Sequence, residues 1–387
     1  MEIVLESDGA HRVLAVRGPG DIVGEMAIVD KVPRSASVRA IDDCVVLPIT
    51  AAQLERRMAN ADPITRMVLN VVLNRFRATL SDMRDGRSPA LSSFFHHDPV
   101  LINAAAAELR MERDIEDALN RDEIEPYYQP IVRLSDGKLV GFEALARWMH
   151  PVRGLIPPSV FVPIMEANGR SADLASHCMQ HVSRDFPLFM ESALSNIENV
   201  EPLHVSLNVS AHDLGDAKLI ERLAEIAERA GISTGDIYLE LTESGFVRTP
   251  GGATSALQKA CNLGFNVAID DFGTGYSTMT SVCTTPANTL KIDRSFVSDL
   301  SAASLNLTIV LNILQLAKSL GMKVVAEGIE SVADASVLEK LGCDFGQGFA
   351  FGRPQPIKDC IALVRSWQRS GDAPRNVPSS EVVANVA

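Results

Sequence analysis

The chain has 387 residues, a net charge of −13, 46% hydrophobic and 22% charged residues. At roughly 100–200 residues per domain this allows two or three domains, and the balance is that of a globular protein. The acidic charge argues against a nucleic-acid polymer as partner, because phosphate backbones select Lys/Arg surfaces. A small anionic ligand remains open, since a metal ion or a few local basic groups invert the field inside a pocket. None of the six cysteines falls in a C-x-x-C pair and no histidine cluster is read at zinc spacing, so reduced thiols and no zinc centre are expected. Met1 is followed by an acidic, mixed segment with no apolar signal core. The most apolar helical stretch, Leu305 to Ala317, is interrupted by Asn306, Thr308, Asn312 and Gln315, and falls short of the ~20 apolar residues of a membrane span. A cytoplasmic protein without a membrane span is expected.

In chain order, residues 1–50 read as short strands (Ile3–Leu5, Val13–Val16, Ala36–Ile41, Val45–Leu47) separated by turn residues, which predicts an antiparallel β module. Residues 51–107 form a connector. Its first part carries a helical stripe of Leu54, Met58, Ile64, Met67, Val68, Val71, Val72 and Phe76, serving as packing or as a dimer seam. Its second part, 85 to about 105, reads as a linker. An acidic helix opens the next region near residue 108.

Residues 108–370 then alternate. Strands are expected at Tyr127–Val132, Leu139–Ala146, Leu203–Val209, Ile237–Leu241, Phe265–Ile269, Thr289–Ile292, Lys323–Ala326 and Phe345–Phe349. Helices lie between most of them, among others Lys218–Ala230, Ala253–Asn262, Leu307–Leu320 and Val332–Leu341. Eight strands with intervening helices predict an α/β fold, a (β/α)₈ barrel of ~250 residues; a doubly wound open sheet is the alternative. Residues 371–387 read as a disordered tail.

The strand ends carry the chemistry. Gln129, Glu143 and Arg147, Asn208, Glu240 and Glu243, Asp270 and Asp271, Lys291 and Asp293, Glu327, and Gln347 follow one another along the eight strands. In a barrel such ends converge on one face. Any one of them alone reads as a salt bridge or a helix cap. Burying the set together is costly unless cations neutralise it, and oxygen donors of this kind suit Mg²⁺ or Mn²⁺. Adjacent carboxylates such as Asp270 and Asp271 can bridge two ions, an arrangement that clamps the attacking and leaving oxygens of a phosphoester. The residues thus point to metal-dependent hydrolysis of a phosphate ester.

The motifs then become recognisable. Glu143-Ala144-Leu145 with Arg147-Trp148, Tyr128-Gln129-Pro130, Asn208-Val209-Ser210, Glu240-Leu241-Thr242-Glu243, Asp270-Asp271-Phe272-Gly273-Thr274-Gly275, Lys291-Ile292-Asp293, Ala326-Glu327-Gly328 and Gln347-Gly348-Phe349 stand in order. The series resembles the EAL phosphodiesterase family over roughly residues 108–367. That resemblance implies a TIM-like barrel with one strand reversed and hydrolysis of cyclic di-GMP to linear pGpG with two Mg²⁺ or Mn²⁺ ions. It implies Glu143, Asn208, Glu240, Asp270 and Asp271 as metal ligands, Lys291 as the residue orienting the catalytic water, and Glu327 as its base. It further implies Arg147, Gln129 and Gln347 at the substrate, Glu243 as a brace for the loop after Asp271, and a homodimer. Thr278-Met279 and Phe349 depart from the usual pattern without touching a ligand. A catalytically silent cyclic di-GMP receptor is the alternative; the intact ligand set favours the enzyme. A cyclic-mononucleotide sensor using the barrel as a scaffold leaves the acidic cluster unexplained.

Near the N-terminus, Gly24-Glu25-Met26-Ala27 and Pro33-Arg34-Ser35-Ala36 resemble the phosphate cassette of cyclic-nucleotide-binding domains. The resemblance implies Glu25 on the ribose hydroxyl, Arg34 on the cyclic phosphate, and cAMP or cGMP as ligand, between which Ser35 does not decide. That family folds as a jelly roll of about eight strands, so the chain enters about 40 residues late. The expectation for residues 1–50 is therefore a truncated β-roll that either binds a nucleotide or only packs.

Overall fold

The computed structural model describes residues 1–7, 10–18, 21, 36–45, 99–194, 203–210, 213, 217–242, 250–274, 282–283, 285–300 and 304–370. Glu25, Arg34, Ser35, Glu243, the stripe of 52–84 and the tail of 371–387 lie outside them. The chain divides into two compact units between Asp114 and Ile115.

In the first unit, strands β1 (Glu2–Ser7), β2 (Ala10–Val16) and β3 (Ser37–Arg39) pair antiparallel in the order β2-β1-β3. Val4 is buried, while Val13, Leu14, Val16 and Val38 are exposed. The strand expected at 45–47 is not found at Val45, which lies outside any strand; residues 46 and 47 are outside the described set.

Helix α1 (Pro99–Asn120) begins inside the stretch expected to be linker. The reason is visible in the sequence: proline at a first helical position fits its fixed φ and needs no N–H partner.

The second unit is built on strands β4 (Ile124–Arg133), β5 (Leu139–His150), β7 (His204–Asn208), β8 (Ile237–Thr242), β9 (Asn266–Phe272), β10 (Thr289–Ile292), β11 (Lys323–Ala326) and β12 (Phe345–Gln347). They follow the order β4-β12-β11-β10-β9-β8-β7-β5, and β4 pairs with β5 to close the ring. The closure excludes the open sheet. Strand β4 runs antiparallel to both neighbours, β5 and β12, and the other pairs around the ring are parallel. A short strand β6 (Gly154–Ile156) extends β5 as a hairpin. Continuous burial along β10 and in the middle of β9 and β4 is what a sheet covered on both faces requires.

Helices α2 (Pro158–Ala167), α3 (Ser171–Leu194), α4 (Ala217–Arg229), α5 (Pro250–Asn262), α6 (Arg294–Val297), α7 (Leu305–Leu320), α8 (Val332–Lys340) and α9 (Ile357–Ser370) complete the unit. Their faces follow the 3.6-residue period: α4 buries Leu219, Ile220, Leu223 and Ala227. Helix α7 starts at a Ser304 cap and stops at Gly321 in the left-handed region. Its stripe of Val310, Ile313, Leu314 and Ala317 is buried, as expected of a packed helix. Among the described residues no helix is long and apolar enough to cross a membrane. Against β4 and β5, Phe189 of α3 stacks on Phe142 at 4.6 Å and meets Tyr128 edge-on at 5.0 Å. Tyr128 also donates to Asp185 of α3 at 2.6 Å, so this side chain faces the helix layer and its neighbour Gln129 faces the barrel.

Candidate active site

Each strand of the ring, or the residue just beyond it, contributes a polar side chain to one cluster, with Asn208 exposed, Asp271 and Glu327 half-buried and the others buried. Strand register brings the first pairs together: Gln129 of β4 stands opposite Glu143 of β5, and Asn208 of β7 beside Glu240 of β8. Arg147 lies four residues beyond Glu143 on β5, so the two-residue period puts both on the same face.

Lys291 is the centre. Its side chain is 1% exposed, and its ammonium reaches Glu240 at 2.5 Å, Glu327 at 2.6 Å, Asp270 at 3.3 Å and Glu143 at 3.4 Å. A buried ammonium needs such company. Burial alone would lower its pKa; Asp270, Glu143, Glu240 and Glu327 reverse that and raise it well above the ordinary value.

The carboxylates respond differently to the shared environment. Burial raises Glu240 well above the usual range, against the opposing pull of Lys291. Burial pushes Glu327 up to about 8, with Lys291 opposing and Asp270 and Glu143 adding to it. Asp271 rises to about 6 through burial and then the neighbouring charges of Asp270 and Asp293. Glu143 goes the other way: burial would raise it, but Lys291 and hydrogen bonds from Gln347 and Asn208 lower it. Those bonds run from Gln347 Nε2 to Glu143 Oε2 at 2.5 Å and from Asn208 Nδ2 to Glu143 Oε1 at 2.8 Å. Gln347 Nε2 also donates to Gln129 Oε1 at 3.0 Å, and Gln129 Nε2 to Gly352 O at 3.1 Å. Gln347, itself bonded to Gln129, thus holds Glu143, and Gln347 Oε1 is left buried without a hydrogen-bond partner.

Asp270 and Asp271 pose a geometric problem. Consecutive residues of a regular strand point to opposite faces. Here the β9–β10 ladder slips: Leu290 pairs with Ile269 but Ile292 with Phe272, so two residues of β9 oppose Lys291. That is a β-bulge. Asp271 takes φ 53°, in the left-handed region where Asp is among the few residues tolerated. Its carbonyl accepts from Thr274 N at 3.3 Å and Thr274 Oγ1 at 2.9 Å. Gly273 follows at φ 101°, where a Cβ would meet Phe296 Cε2 at 2.7 Å. The bulge brings both aspartates to one place.

The result is two overlapping triads, Glu143–Glu240–Asp270 and Asp270–Asp271–Glu327, each with ligand atoms within 4.8 Å of one another. Fully ionised, the five carboxylates and Lys291 leave four negative charges, the charge of two divalent cations. An all-oxygen donor set fits hard cations. After β11, Glu327 is fixed by its N–H to Ile292 O at 3.0 Å. The following loop is locked at Gly348, where a Cβ would lie 2.3 Å from Ile329 N.

Of the residues singled out from sequence, Gln129, Glu143, Asn208, Glu240, Asp270, Asp271, Lys291, Glu327 and Gln347 come together. Arg147 lies on the rim side of the same strand and donates to Ala146 O at 2.9 Å. Asp293, also noted at a strand end, caps α6 through Ser295 N at 2.9 Å. Sequence reasoning missed one cluster: Asp122, His177 and His181 also set ligand atoms within 4.8 Å. This corrects the expectation that no histidines stand at metal spacing. The signal was a pair four residues apart, which share a face once the segment is known to be helical.

Residues 112–354 match the family model of the EAL domain, and residues 1–61 match that of the cyclic nucleotide-binding domain. The chain is 34% identical over 268 residues to the cyclic di-GMP phosphodiesterase NbdA of Pseudomonas aeruginosa, covering 69% of this chain and 34% of that protein. It is 32% identical over 254 residues to the cyclic di-GMP phosphodiesterase RocR of the same organism, covering 65% and 62%. The chain spans about a third of the length of the first curated relatives it matches. The solved structure of the EAL enzyme Bd1971 in its cAMP and cyclic-di-GMP bound form is similar at TM-score 0.74 and 31% identity, covering 94% of this chain and 92% of that one.

Proposed function

Since the chain belongs to the EAL domain family, we propose that it hydrolyses cyclic di-GMP to linear pGpG with two Mg²⁺ or Mn²⁺ ions. The observation that carries the reading is the pair of acidic triads sharing Asp270 around Lys291. Glu143, Asn208, Glu240, Asp270 and Asp271 would hold the ions, with Glu327 beside them. Bound there, the cations supply neutralisation of the substrate phosphate and a more acidic water.

The chain's own groups do the rest. Lys291 stays charged and orients the attacking water. Glu327, paired with Lys291 at 2.6 Å, takes the water's proton. A new P–O bond forms as the bond to the 3′ oxygen breaks in line, leaving a 5′ phosphate and a 3′ oxygen that takes up a proton from water as the 3′ hydroxyl. Arg147 binds a non-bridging phosphate oxygen, and a substrate donor satisfies the buried Gln347 Oε1. Glu243 braces the loop beyond the bulge.

We extend the reading to the N-terminal unit as a cAMP- or cGMP-binding module through Glu25, Arg34 and Ser35. Bd1971, similar over both matched regions, was solved with such nucleotides. The protein acts in the cytoplasm as a homodimer. The test is hydrolysis of cyclic di-GMP by the purified chain with Mg²⁺ or Mn²⁺ against an EDTA control, with products separated by chromatography. Metal-dependent pGpG is expected. Tight binding of the substrate without product would replace this reading with that of a receptor.

A further inference from the structure

A second donor cluster stands in the helix layer, outside the barrel. Helix α3 carries His177 and His181 one turn apart, with ring centroids 4.8 Å from each other. Asp122, in the turn after α1, places Oδ1 3.3 Å from His181 Nε2 and 3.7 Å from His177 Nε2. The imidazoles are 13% and 11% exposed and the carboxylate 57%, so the cluster is walled on the ring side and open to water on the other. His181 Nε2 is buried and faces Asp122 Oδ1 at 3.3 Å without a well-aligned hydrogen bond. A buried nitrogen left in that condition is costly. An electrophile between it and the carboxylate removes the cost.

We propose that Asp122, His177 and His181 form a second cation site, selective for a borderline divalent ion of the Zn²⁺ class. Imidazole nitrogen with one carboxylate suits Zn²⁺, whereas the all-oxygen ring in the barrel suits Mg²⁺ or Mn²⁺. Three protein ligands leave a fourth position for water. His177 Nε2 lies 2.8 Å from Ile124 O, and ligation through that atom exchanges this hydrogen bond for the metal. The competing cation is Arg184, 3.6 Å from Asp122 Oδ2; it is 56% exposed, and its Nε is already engaged with Gln180 O at 3.3 Å. The site ties the turn between α1 and β4 to α3. The next residue in that turn, Glu123, already accepts from Trp148 Nε1 at 3.2 Å, so the clamp holds the strand that carries Arg147.

The experiment uses the full chain stripped of metal and then saturated with Mg²⁺ to fill the oxygen ring. Zn²⁺ is titrated in against a chromophoric chelator. One equivalent of tightly bound zinc is expected in the wild type. Asp122→Asn removes a direct ligand and should weaken it by more than about a hundredfold, the most that outer-shell partners reach, and His177→Asn with His181→Asn should abolish it. Cobalt in place of zinc should give the visible bands of a four-coordinate nitrogen site. No zinc beyond the oxygen ring, zinc binding unchanged in these variants, or binding lost only on substitution at Glu240 would overturn the proposal. Asp122 is exposed, so Asp122→Asn keeps the test decisive where the double histidine variant fails to fold.

Discussion

The two donor clusters of the barrel unit differ in everything except acidity. The inner one gathers side chains from Gln129 to Gln347, more than two hundred residues apart in sequence, and surrounds an ammonium with carboxylates. The outer one draws on a single helix turn and one loop carboxylate, with imidazole nitrogens instead of a lysine. The first depends on the whole ring closing; the second needs only α3 and the turn before β4. The first must also be neutralised to be stable, because its charges are buried, whereas the second has a solvated carboxylate beside two imidazoles. The difference teaches that burial and donor type together decide which ion a cluster takes, and how strongly its loss is felt by the fold.

The largest effect expected is at Glu240, which belongs to the inner cluster alone. Glu240→Ala should lower metal-dependent hydrolysis of cyclic di-GMP by on the order of a thousandfold or more, beyond what second-shell partners reach. Circular dichroism should be unchanged, since Lys291 keeps three other carboxylates. Undiminished turnover would remove the metal assignment.

Next comes Lys291→Met. Removing the ammonium leaves buried carboxylates uncompensated, a loss of about 3–5 kcal/mol. Denaturant unfolding in EDTA should show it, and Mg²⁺ should restore part of it. A variant as stable as the wild type without metal would mean that the inner charges are not held as described.

A smaller effect tests burial of a histidine away from both clusters. Burial keeps His204 at about 4, while the unfolded chain titrates near 6.5. The folded form therefore binds fewer protons in that window, and stability rises with pH from about 4 to about 6.5. On the order of 3 kcal/mol is at stake. His204→Gln should flatten this part of the melting-temperature profile, and an unaltered profile would assign the slope to other groups.

The smallest effect is at Asp122. Asp122→Asn should leave Mg²⁺-dependent hydrolysis unchanged and shift stability by less than about 0.5 kcal/mol, as exposed substitutions do. A large loss of turnover would erase the separation between the clusters.

Much of this was legible in the sequence. The eight ring strands lie within a few residues of their expected bounds, because buried apolar runs alternate with amphipathic helices. That one strand is reversed was legible only through family resemblance, which did not say that it is β4; periodicity says nothing of direction. Helix α3 escaped notice because Pro187 and many polar residues break its pattern. Without it the histidine pair had no shared face. The start of α1 at Pro99 was misread because the His-Asp-Pro run looks like a turn, yet serves as a helix entry. The donors of the inner site were readable at strand ends. The glutamine clasp on Glu143 was not, since it depends on contacts between the first and last strands.

The bulge in β9 sets a count. Take one residue out at Asp270-Asp271 and the ladder to β10 would run without a slip. The sheet would be more regular, and a strand's ordinary alternation would turn neighbouring side chains to opposite faces. Only one of the two triads could then be assembled. A single surplus residue, held in a backbone conformation most side chains avoid, is the difference between a barrel with one acidic seat and a barrel with two.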